Sequence, residues 1–476
     1  MTVAPTTKAG TARPQIFEVS TLYGAATLAA ALDAGLFGPA AAARRVLVVS
    51  HNAPVPETAG RLQDMAGWEG IAARFDLVVD WNDTIRPLHP ADWSPADQDN
   101  PLWQRMFRRA WDLGDGVADL VVESVHVNPA AALAGIFADA DVHVYADGLM
   151  SYGPTRDPLP AATAARIRRL LHLDLVPGLR PLLLSEYGVP AEPVPDAAFR
   201  AVLDTMTASA PPDAGVPEDE GRRPGAVLLG QYLAALGILT ADEEEELHAR
   251  MLRAAAAAGH TTVLFKPHPT APARYSRALE KAAADCGVEL LVPTTPLLAE
   301  AVFGRCRPRL VVGCFSTALL TASTYYGIPV ARIGTAPLLD RLTPYQNSNR
   351  VPLTLVDALL PDLEAGTAPD AAPDAAAPCP VAGPVADVEA LVRTVGYCMQ
   401  PRQYPGLRAG AEAWLAEHFG PGTLRYFKRR RLTSLELPGG LAPAGGRFPG
   451  TGPALRVARR VKRAATRRAG RSRGRE

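Results

Sequence analysis

The sequence predicts an α/β protein built from two Rossmann-like, doubly wound domains that face each other across a cleft, with C-terminal closing helices and a basic tail. Short Val- and Leu-rich runs with polar ends alternate with helical patterns along most of the chain. Such runs are typical of strands that are buried on both faces of a parallel sheet. A segment rich in Pro, Gly and acids divides the alternation into two series, and 476 residues suffice for two hydrophobic cores.

The first series begins with QIFEVS, which leads into an Ala-rich helix around residues 25–34. We expect its strands at residues 15–20, 45–50, 75–80, 118–124 and 141–148. Together they define an N-terminal domain over residues 1–207.

The second series follows a linker at residues 208–224 and forms a domain over residues 225–386. We expect its strands at residues 225–230, 261–266, 288–292, 309–314 and 328–334. A helix is expected at residues 240–259, because Thr240 and Glu243 form a capping-box pattern at its start. A Pro-, Ala- and Asp-rich loop at residues 361–386 ends the domain.

The rest of the chain predicts closing helices over residues 387–430, broken near residues 401–405, and a basic tail over residues 431–476 that is expected to be disordered. The last 21 residues contain ten Lys or Arg and one acid, so 39 of the 49 basic and 48 of the 49 acidic residues lie elsewhere. This asymmetry predicts an anionic surface as the partner of the tail. At roughly 1 kcal/mol for each basic residue, the tail suffices for peripheral attachment to an anionic membrane. Nucleic acid is not expected as a partner, because the tail lacks aromatic residues for base stacking.

The cysteines and the apolar stretches bear on the compartment. Five cysteines without a CxxC pair fit neither a disulfide framework nor a zinc site. The N-terminus lacks the apolar core of a signal peptide, and the most apolar long stretch, residues 24–43, contains Asp33 and Pro39. We therefore expect a cytoplasmic protein, peripheral on the inner face of the cell membrane if the tail attaches it.

Ligands of doubly wound sheets bind beyond the carboxyl ends of the strands, so the residues that follow the strands are the candidates for chemistry. Asp147 and Gly148 follow the fifth strand. An aspartate there can accept a proton from a substrate hydroxyl, and a glycine lets the backbone turn and a substrate approach. An Asx-type turn that closes the strand also explains these two residues.

The segment LFKPHPT, residues 264–270, follows the second strand of the second series. Lys266 supplies a positive charge and His268 a donor that titrates near neutral pH, and both suit a phosphate. Pro267 and Pro269 restrict the backbone on either side of His268. The alternative is a loop histidine that points into solvent.

Ser316 and Thr317 lie between the strand RLVVGC and a helix predicted to start near Ala318. Hydroxyls and free N–H groups at a helix N-terminus form an anion site, although simple N-capping needs no ligand. Combined, the three strand ends predict that His268, Ser316 and Thr317 contact one phosphate while Asp147 faces it from the first domain.

These motifs resemble those of the bacterial sialyltransferases, and most closely those of the polysialyltransferase-like branch. The Asp-Gly strand end, KPHP and the Ser-Thr pair are similar to the family's D/E-D/E-G, HP and S/T motifs. Residues 228–247, LLGQYLAALGILTADEEEEL, also look like the family's lead-in to the HP strand, which places Gly230 and Gln231 at the nucleotide. The similarity extends over most of the chain, but short motifs carry it.

The resemblance implies a GT-B fold and an inverting glycosyltransferase that uses a CMP-activated nonulosonic acid such as sialic acid or Kdn. The acceptor would be a hydroxyl of a surface glycan or a lipid-linked glycan, bound on the side of the first domain. The resemblance assigns His268 to the CMP phosphate and, as an acid, to the departure of CMP. It assigns Ser316 and Thr317 to the same phosphate, with Lys266 and Pro267 beside them. No metal cofactor is expected, because these groups take the place of the cation.

One position departs from the family pattern, since Ala146 stands where the first acid of the acidic motif is expected. Asp147 is then the candidate base, with Glu123 and Asp80, at two other strand ends, in reserve. His51 also follows a strand. It is expected either to line the acceptor side of the site or to be an ordinary loop residue. Trp103 and Trp111 are expected to pack one helix face on the core rather than to bind sugar.

Two other functions stay open. A CDP-alcohol-dependent polyol-phosphate transferase of the teichoic-acid type shares this frame, but an acid is expected before its serine, where Cys314 and Phe315 stand. A non-catalytic nucleotide-binding scaffold in glycan assembly would have lost its base together with the acid before Asp147.

Overall fold

The computed structural model describes residues 13–53, 55–58, 60–146, 148–268, 274–366 and 385–441. The N-terminal half contains a seven-stranded sheet in which all neighbouring strands are parallel. Its strands are β1 Gln15–Val19, β2 Arg45–Val49, β3 Leu77–Asp80, β4 Asp119–Val122, β5 Asp141–Ala146, β6 Ile167–His172 and β7 Ala191–Pro193. Its helices are α1 Leu22–Asp33, α2 Trp68–Ala72, α3 Trp81–Ile85, α4 Asn100–Ala110, α5 Ala130–Ile136, α6 Ala161–Ala164 and α7 Asp196–Ala208.

The second half contains a five-stranded sheet, also parallel throughout. Its strands are β8 Ala226–Leu229, β9 Thr262–Lys266, β10 Glu289–Leu291, β11 Leu310–Gly313 and β12 Val330–Arg332. The helices of this half are α8 Ala241–Ala257, α9 Arg274–Cys286, α10 Ala299–Cys306, α11 Thr317–Tyr326, α12 Thr335–Arg341 and α13 Arg350–Leu359. Helices α14 Val385–Met399, α15 Arg408–His418 and α16 Arg429–Leu435 follow.

The two sheets have the doubly wound topology that the sequence predicts. Their strand orders are β3-β2-β1-β4-β5-β6-β7 and β10-β9-β8-β11-β12, so each sheet reverses direction beside its first strand. The central strands β1, β2, β8 and β11 are buried along their whole length, which explains their continuous apolar runs. All ten predicted strands are confirmed, each within two residues of its predicted ends.

Strands β6 and β7 were not predicted from the sequence. Strand β6 carries Arg168 and Arg169, which interrupt the apolar run that marks the other strands. Both charges are paired across the sheet, Arg168 with Asp141 of β5 at 2.6 Å and Arg169 with Glu192 of β7 at 2.8 Å. Strand β7 is a short edge strand that ends in proline, a residue that edge strands tolerate.

The helices agree with their sequence signals. The Thr240 hydroxyl accepts a hydrogen bond from Glu243 N at 3.2 Å, and the Glu243 carboxylate accepts one from Thr240 N at 2.8 Å, which confirms the capping box of α8. Helices α14 and α15 confirm the predicted break near residues 401–405. No helix among the described residues is long and apolar enough to cross a membrane.

The predicted domain boundaries at residues 207, 224, 386 and 430 stay predictions. Helix α7 ends at Ala208, and α16 lies across the last boundary. Residues 367–384 of the predicted loop and residues 442–476 of the basic tail lie outside the described residues.

Aromatic side chains of α4, and Trp111 directly after it, pack in the core beside the first sheet. Phe107 and Trp111 stack with ring centroids 4.7 Å apart, and Trp103 lies 5.6 Å from Phe107. Trp111 continues the series towards Phe137 at 5.9 Å. The prediction that Trp103 and Trp111 form one face packed on the core is therefore confirmed.

The two halves contact each other through α1, α7 and α11. The Tyr23 hydroxyl lies 3.0 Å from Thr321 Oγ1, and the Arg200 guanidinium donates to the Thr324 carbonyl at 3.2 Å. Thr324 in turn donates to the Leu175 carbonyl at 3.1 Å. Through these contacts α11 packs along the first half of the chain.

Candidate active site

The carboxyl ends of both sheets carry the polar residues singled out in the sequence. Doubly wound sheets bind ligands where the strand order reverses, which is between β1 and β4 in the first sheet and between β8 and β11 in the second. Gly230 and Gln231 follow β8, His268 lies two residues beyond β9, and Ser316 lies three residues beyond β11. Gly148 follows β5, a strand of the first sheet.

Gly230 and Gln231 connect the three strand ends of the second sheet. A Cβ atom at Gly230 would lie 2.8 Å from the tip of the Phe265 ring and 3.2 Å from Pro267 Cα, so only glycine fits this close approach. The Gln231 side-chain oxygen accepts a hydrogen bond from Phe315 N at 3.1 Å. Gln231 therefore links the end of β8 to the loop that leads into α11.

Lys266 is buried, and its ammonium donates to the Pro267 carbonyl at 2.8 Å. Burial lowers the pKa of Lys266 to about 8, and the nearby Glu300 carboxylate opposes this shift. The ammonium is therefore still mostly charged at neutral pH, and in this structure it is turned to the backbone of its own loop.

His268 lies against an aromatic side chain rather than in open solvent. Its ring centroid is 4.1 Å from that of Tyr232, and the planes are tilted by 44°. Burial lowers the pKa of His268 to about 4, and the positive charge of Lys266 adds to the effect. The ring is therefore neutral at pH 7 in this state, and a bound anion would raise its pKa again.

Ser316 and Thr317 begin α11, and each hydroxyl has a partner in the protein. Ser316 Oγ accepts a hydrogen bond from Ala318 N at 3.3 Å, so Ser316 caps the helix. Simple N-capping was the alternative to an anion site in the sequence prediction. Thr317 Oγ1 accepts from Leu149 N at 3.5 Å. The positive end of the α11 dipole still favours an anion at this helix start.

Gly148 brings the first half of the chain against Thr317. A Cβ atom at Gly148 would lie 2.9 Å from Thr317 Oγ1, while φ of Gly148 is −147°, an extended value that any residue adopts. Glycine is therefore needed here for the close approach of the two halves rather than for a turn. The neighbouring Asp147, the predicted base, lies outside the described residues.

Two carboxylates, Glu18 and Glu123, lie where the first sheet reverses direction. Glu123, a reserve candidate for the base, accepts a hydrogen bond from Ser20 Oγ at 2.8 Å. Glu18 of β1 is 2% exposed and accepts from Ser50 Oγ at 3.4 Å and from Glu123 N at 3.3 Å. Burial raises the pKa of Glu18 to about 7. Glu18 was not predicted as a site residue, although an acid inside the apolar run QIFEVS was a signal for it.

A cavity of about 610 Å³ lies beyond β2 and β3 and contains His51 and Asp80 in its lining. His51 N donates to the Asn82 side-chain oxygen at 2.8 Å, and the Asn82 amide donates to the His51 carbonyl at 2.9 Å. Asp80, the other reserve base, pairs with Arg61 at 3.0 Å. A larger cavity, of about 1580 Å³, borders the amino ends of β11 and β12, away from these strand ends.

Several solved structures are similar to this chain. The GT-B domain of a sialyltransferase from Photobacterium damselae shows 10% identity over 71% of this chain and 95% of that one, with a TM-score of 0.37. A putative UDP-N-acetylglucosamine 2-epimerase from Listeria monocytogenes shows 12% identity over 67% and 79%, with a TM-score of 0.40. A glycosyltransferase from Rickettsia africae shows 10% identity over 89% and 97%, with a TM-score of 0.36.

At the level of sequence, no curated protein matches the chain. A family model described as alpha-2,8-polysialyltransferase (POLYST) matches residues 15–335, which is more than half of the 476 residues. The matched range includes both sheets and all the strand ends described above.

Proposed function

This chain belongs to the alpha-2,8-polysialyltransferase family, and from that membership we propose that it is an inverting glycosyltransferase that uses a CMP-activated nonulosonic acid. The sugar, of the sialic acid or Kdn type, is transferred to a hydroxyl of a surface glycan or glycolipid. The observation that carries this proposal is that Gln231, His268 and the start of α11 follow the neighbouring strands β8, β9 and β11, with Gln231 hydrogen-bonded to Phe315 N at 3.1 Å.

The donor side of the site supplies the groups that a departing nucleotide needs. In the transfer, an acceptor oxygen bonds to the anomeric carbon while the bond from that carbon to the CMP phosphate oxygen breaks, and its electron pair leaves with CMP. The positive end of the α11 dipole and the hydroxyl of Ser316 face the growing phosphate charge in this proposal. His268, with its pKa raised by the phosphate, donates a hydrogen bond or a proton to the leaving oxygen. No metal takes part in the proposed reaction.

The acceptor side must remove one proton from the attacking hydroxyl. We assign this role to Asp147, which follows β5 next to the contact between Gly148 and Thr317. Glu123 is the reserve, because it follows the adjacent strand β4 and its carboxylate accepts a hydrogen bond from Ser20.

The family match favours this reaction over that of a teichoic-acid-type polyol-phosphate transferase. The residues before Ser316 agree, since Cys314 and Phe315 are both buried and neither is the acid expected in that class. A non-catalytic scaffold is the alternative that experiment must test: the Asp147→Asn variant of an enzyme loses most turnover while it keeps CMP affinity, whereas a scaffold has no turnover in either form.

The proposed function is tested first by thermal unfolding in the presence of CMP, CDP, UDP and GDP. A ligand at one hundred times its dissociation constant stabilises the folded protein by about 2.7 kcal/mol. We expect stabilisation by CMP in the wild type and in His418→Ala, a control at an exposed histidine of α15, and its loss in His268→Ala. A preference for UDP or GDP, or no response to any nucleotide, would contradict the proposed donor.

We also propose that the basic tail attaches the protein to anionic membrane surfaces. The support is its composition, ten Lys or Arg within residues 456–476. A lipid-linked acceptor would then be met at the membrane surface.

A further inference from the structure

The cavity of about 1580 Å³ lies at the edge of the second sheet opposite the proposed donor site. It borders the amino ends of β11 and β12, whereas Gln231, His268 and Ser316 follow the carboxyl ends of their strands. Helix α7, the segment between α7 and β8, and the ends of β10, α10 and α11 complete the lining. The cavity is therefore separate from the proposed transfer site, and its lining includes elements of both halves of the chain.

Four arginines of the lining precede two neighbouring strands. They are Arg222 and Arg223 before β8, and Arg307 and Arg309 before β11. Ala226 of β8 is in register with Leu310 of β11, and Arg309 N donates to the Gly225 carbonyl at 3.0 Å. Since adjacent strands are about 4.8 Å apart, the four side chains begin from one small area of backbone.

None of these four guanidinium groups pairs with a carboxylate of a described residue. Glu218 is paired with Arg305 at 2.5 Å, and Arg223 donates to the Glu218 carbonyl rather than to its carboxylate, at 2.7 Å. In total, six arginines and four acids line the cavity. The lining therefore has an excess of positive charge, and most of its arginines lie at the amino ends of β8 and β11.

A buried hydroxyl of the lining also lacks a partner. Tyr326, the last residue of α11, lines the cavity, and its hydroxyl has no hydrogen-bond partner in the described part of the chain. Burial raises the pKa of this hydroxyl, and the carboxylates of Glu300 and Asp204 add to the shift. The positive charges of Arg307 and Arg200 oppose it. The neutral hydroxyl is thus a donor near two cations of the cavity, and an acceptor oxygen of a ligand would satisfy it.

We propose that this cavity binds a small oligophosphate, either a free anion of two or three linked phosphates or the phosphate chain of a nucleotide. Guanidinium groups bind phosphate oxygens bidentately, and linked phosphates can engage several arginines at once. The Tyr326 hydroxyl donates to a further phosphate oxygen. An extended polyanion is disfavoured, because Asp204, Asp213 and Asp219 line the same cavity and repel charges spread over it. This site goes beyond the proposed function and does not depend on it.

The test is isothermal titration calorimetry of the full-length protein with inorganic triphosphate, orthophosphate and ATP, in the absence of divalent cations. We expect triphosphate to bind at least about tenfold more tightly than orthophosphate, with an affinity that falls as salt is raised. Tighter binding of ATP than of triphosphate assigns the site to a nucleotide, and equal or weaker binding assigns it to the free anion. His268→Ala should bind triphosphate as the wild type does, because His268 follows the opposite ends of the strands.

Matched variants locate the binding. The double variant Arg222→Gln, Arg309→Gln should bind triphosphate at least about tenfold more weakly. The control Arg402→Gln, Arg430→Gln removes two exposed guanidinium groups outside the cavity and should bind like the wild type. Both variants keep the basic tail, so its attraction for anions is the same in each. Tyr326→Phe should weaken binding about fivefold without loss of thermal stability, because the hydroxyl loses no described partner.

Several outcomes would overturn the site. They are the absence of triphosphate binding by the wild type, equal binding by the wild type and the double variant, and loss of binding in His268→Ala, which would assign the phosphates to the donor site. Tighter binding of a sialic acid tetramer than of triphosphate, weakened by the double variant, would contradict the ligand class. Thermal unfolding checks that each variant is folded. Should the double variant not fold, Tyr326→Phe decides, since binding equal to that of the wild type would contradict the proposal.

Discussion

At the scale of single residues, the site is governed by burial. Lys266 and His268 follow one strand, and burial lowers the pKa of both, to about 8 and about 4. The lysine stays mostly charged while the histidine is neutral, and the charge of the first disfavours protonation of the second. A phosphate bound between them would reverse the effect on His268, because an anion favours the protonated ring.

This reversal predicts that CMP binding takes up a proton through His268. The pKa of His268 is about 4 in the free protein and higher in the complex. At a pH between these two values the complex binds more protons than the free protein, so the affinity for CMP rises as the pH falls from about 6.5. We expect calorimetry near pH 6, in buffers of different ionisation enthalpy, to show this uptake in the wild type. His268→Gln keeps a hydrogen-bond donor and should lower CMP affinity about tenfold. It should also abolish the proton uptake by the protein, so that only protonation changes of CMP itself remain. Equal uptake in both proteins would contradict the role of His268.

At the scale of elements, the first turns of α11 serve two purposes. Its N-terminus is the proposed phosphate site, and Thr317 and Thr321, one turn apart, contact the first half of the chain at Leu149 and Tyr23. The helix proposed to bind the donor is therefore held by the first half of the chain, so a shift between the halves would move the proposed phosphate site.

The contact between Gly148 and Thr317 can be tested by a double-mutant cycle. Gly148→Ala places a methyl group 2.9 Å from Thr317 Oγ1, and overpacking of this kind costs about 1–3 kcal/mol. Thr317→Ala removes the atom that collides, so the double variant should recover most of the lost stability. The measurement is the free energy of unfolding in urea.

Gly410→Ala is the matched control for that cycle, because nothing lies within 4 Å of the added methyl group on α15. It should be neutral or stabilising by about 0.5–1 kcal/mol, as expected for alanine in a helix. Additive effects of Gly148→Ala and Thr317→Ala would show that the close approach does not exist.

At the scale of the whole molecule, the C-terminal helices hold the two halves together. Tyr404, between α14 and α15, is buried, and its hydroxyl accepts from Thr155 N at 3.0 Å and lies 2.5 Å from the Glu186 carboxylate. Gly396 of α14 also packs closely on Leu182. The segment that follows the second sheet, with α14 and Tyr404, therefore packs on the first half of the chain.

The charge asymmetry of the molecule predicts salt-sensitive membrane binding through the tail. Replacement of the ten Lys and Arg of residues 456–476 by Gln keeps the length of the full chain but removes its basic charge. At about 1 kcal/mol for each basic residue near the surface, the variant should no longer sediment with phosphatidylserine-containing vesicles, while the wild type does so at low salt. Vesicles of phosphatidylcholine alone are the control. Equal sedimentation of the two proteins would assign the binding to another surface.

The sequence by itself determined ten of the twelve strands of the two sheets and the places where chemistry is expected. Buried parallel strands have local apolar runs in their sequences. The residues that follow these runs, such as Gly230 and Ser316, can be recognised without knowledge of the fold. Strand β6 escaped recognition because Arg168 and Arg169 are neutralised by partners on other strands, which no local pattern records.

Only the tertiary structure decided how these strand ends are combined. The distance from Gly148 to Thr317, the packing of His268 on Tyr232, the burial of Glu18 and the negative lining of the His51 cavity all join residues far apart in the chain. Burial and charge repulsion depend on every neighbour in space, whereas apolar runs and caps depend on neighbours in sequence. That is the physical reason why the fold could be predicted from the sequence, while the protonation state of the site and the charge of the His51 cavity could not.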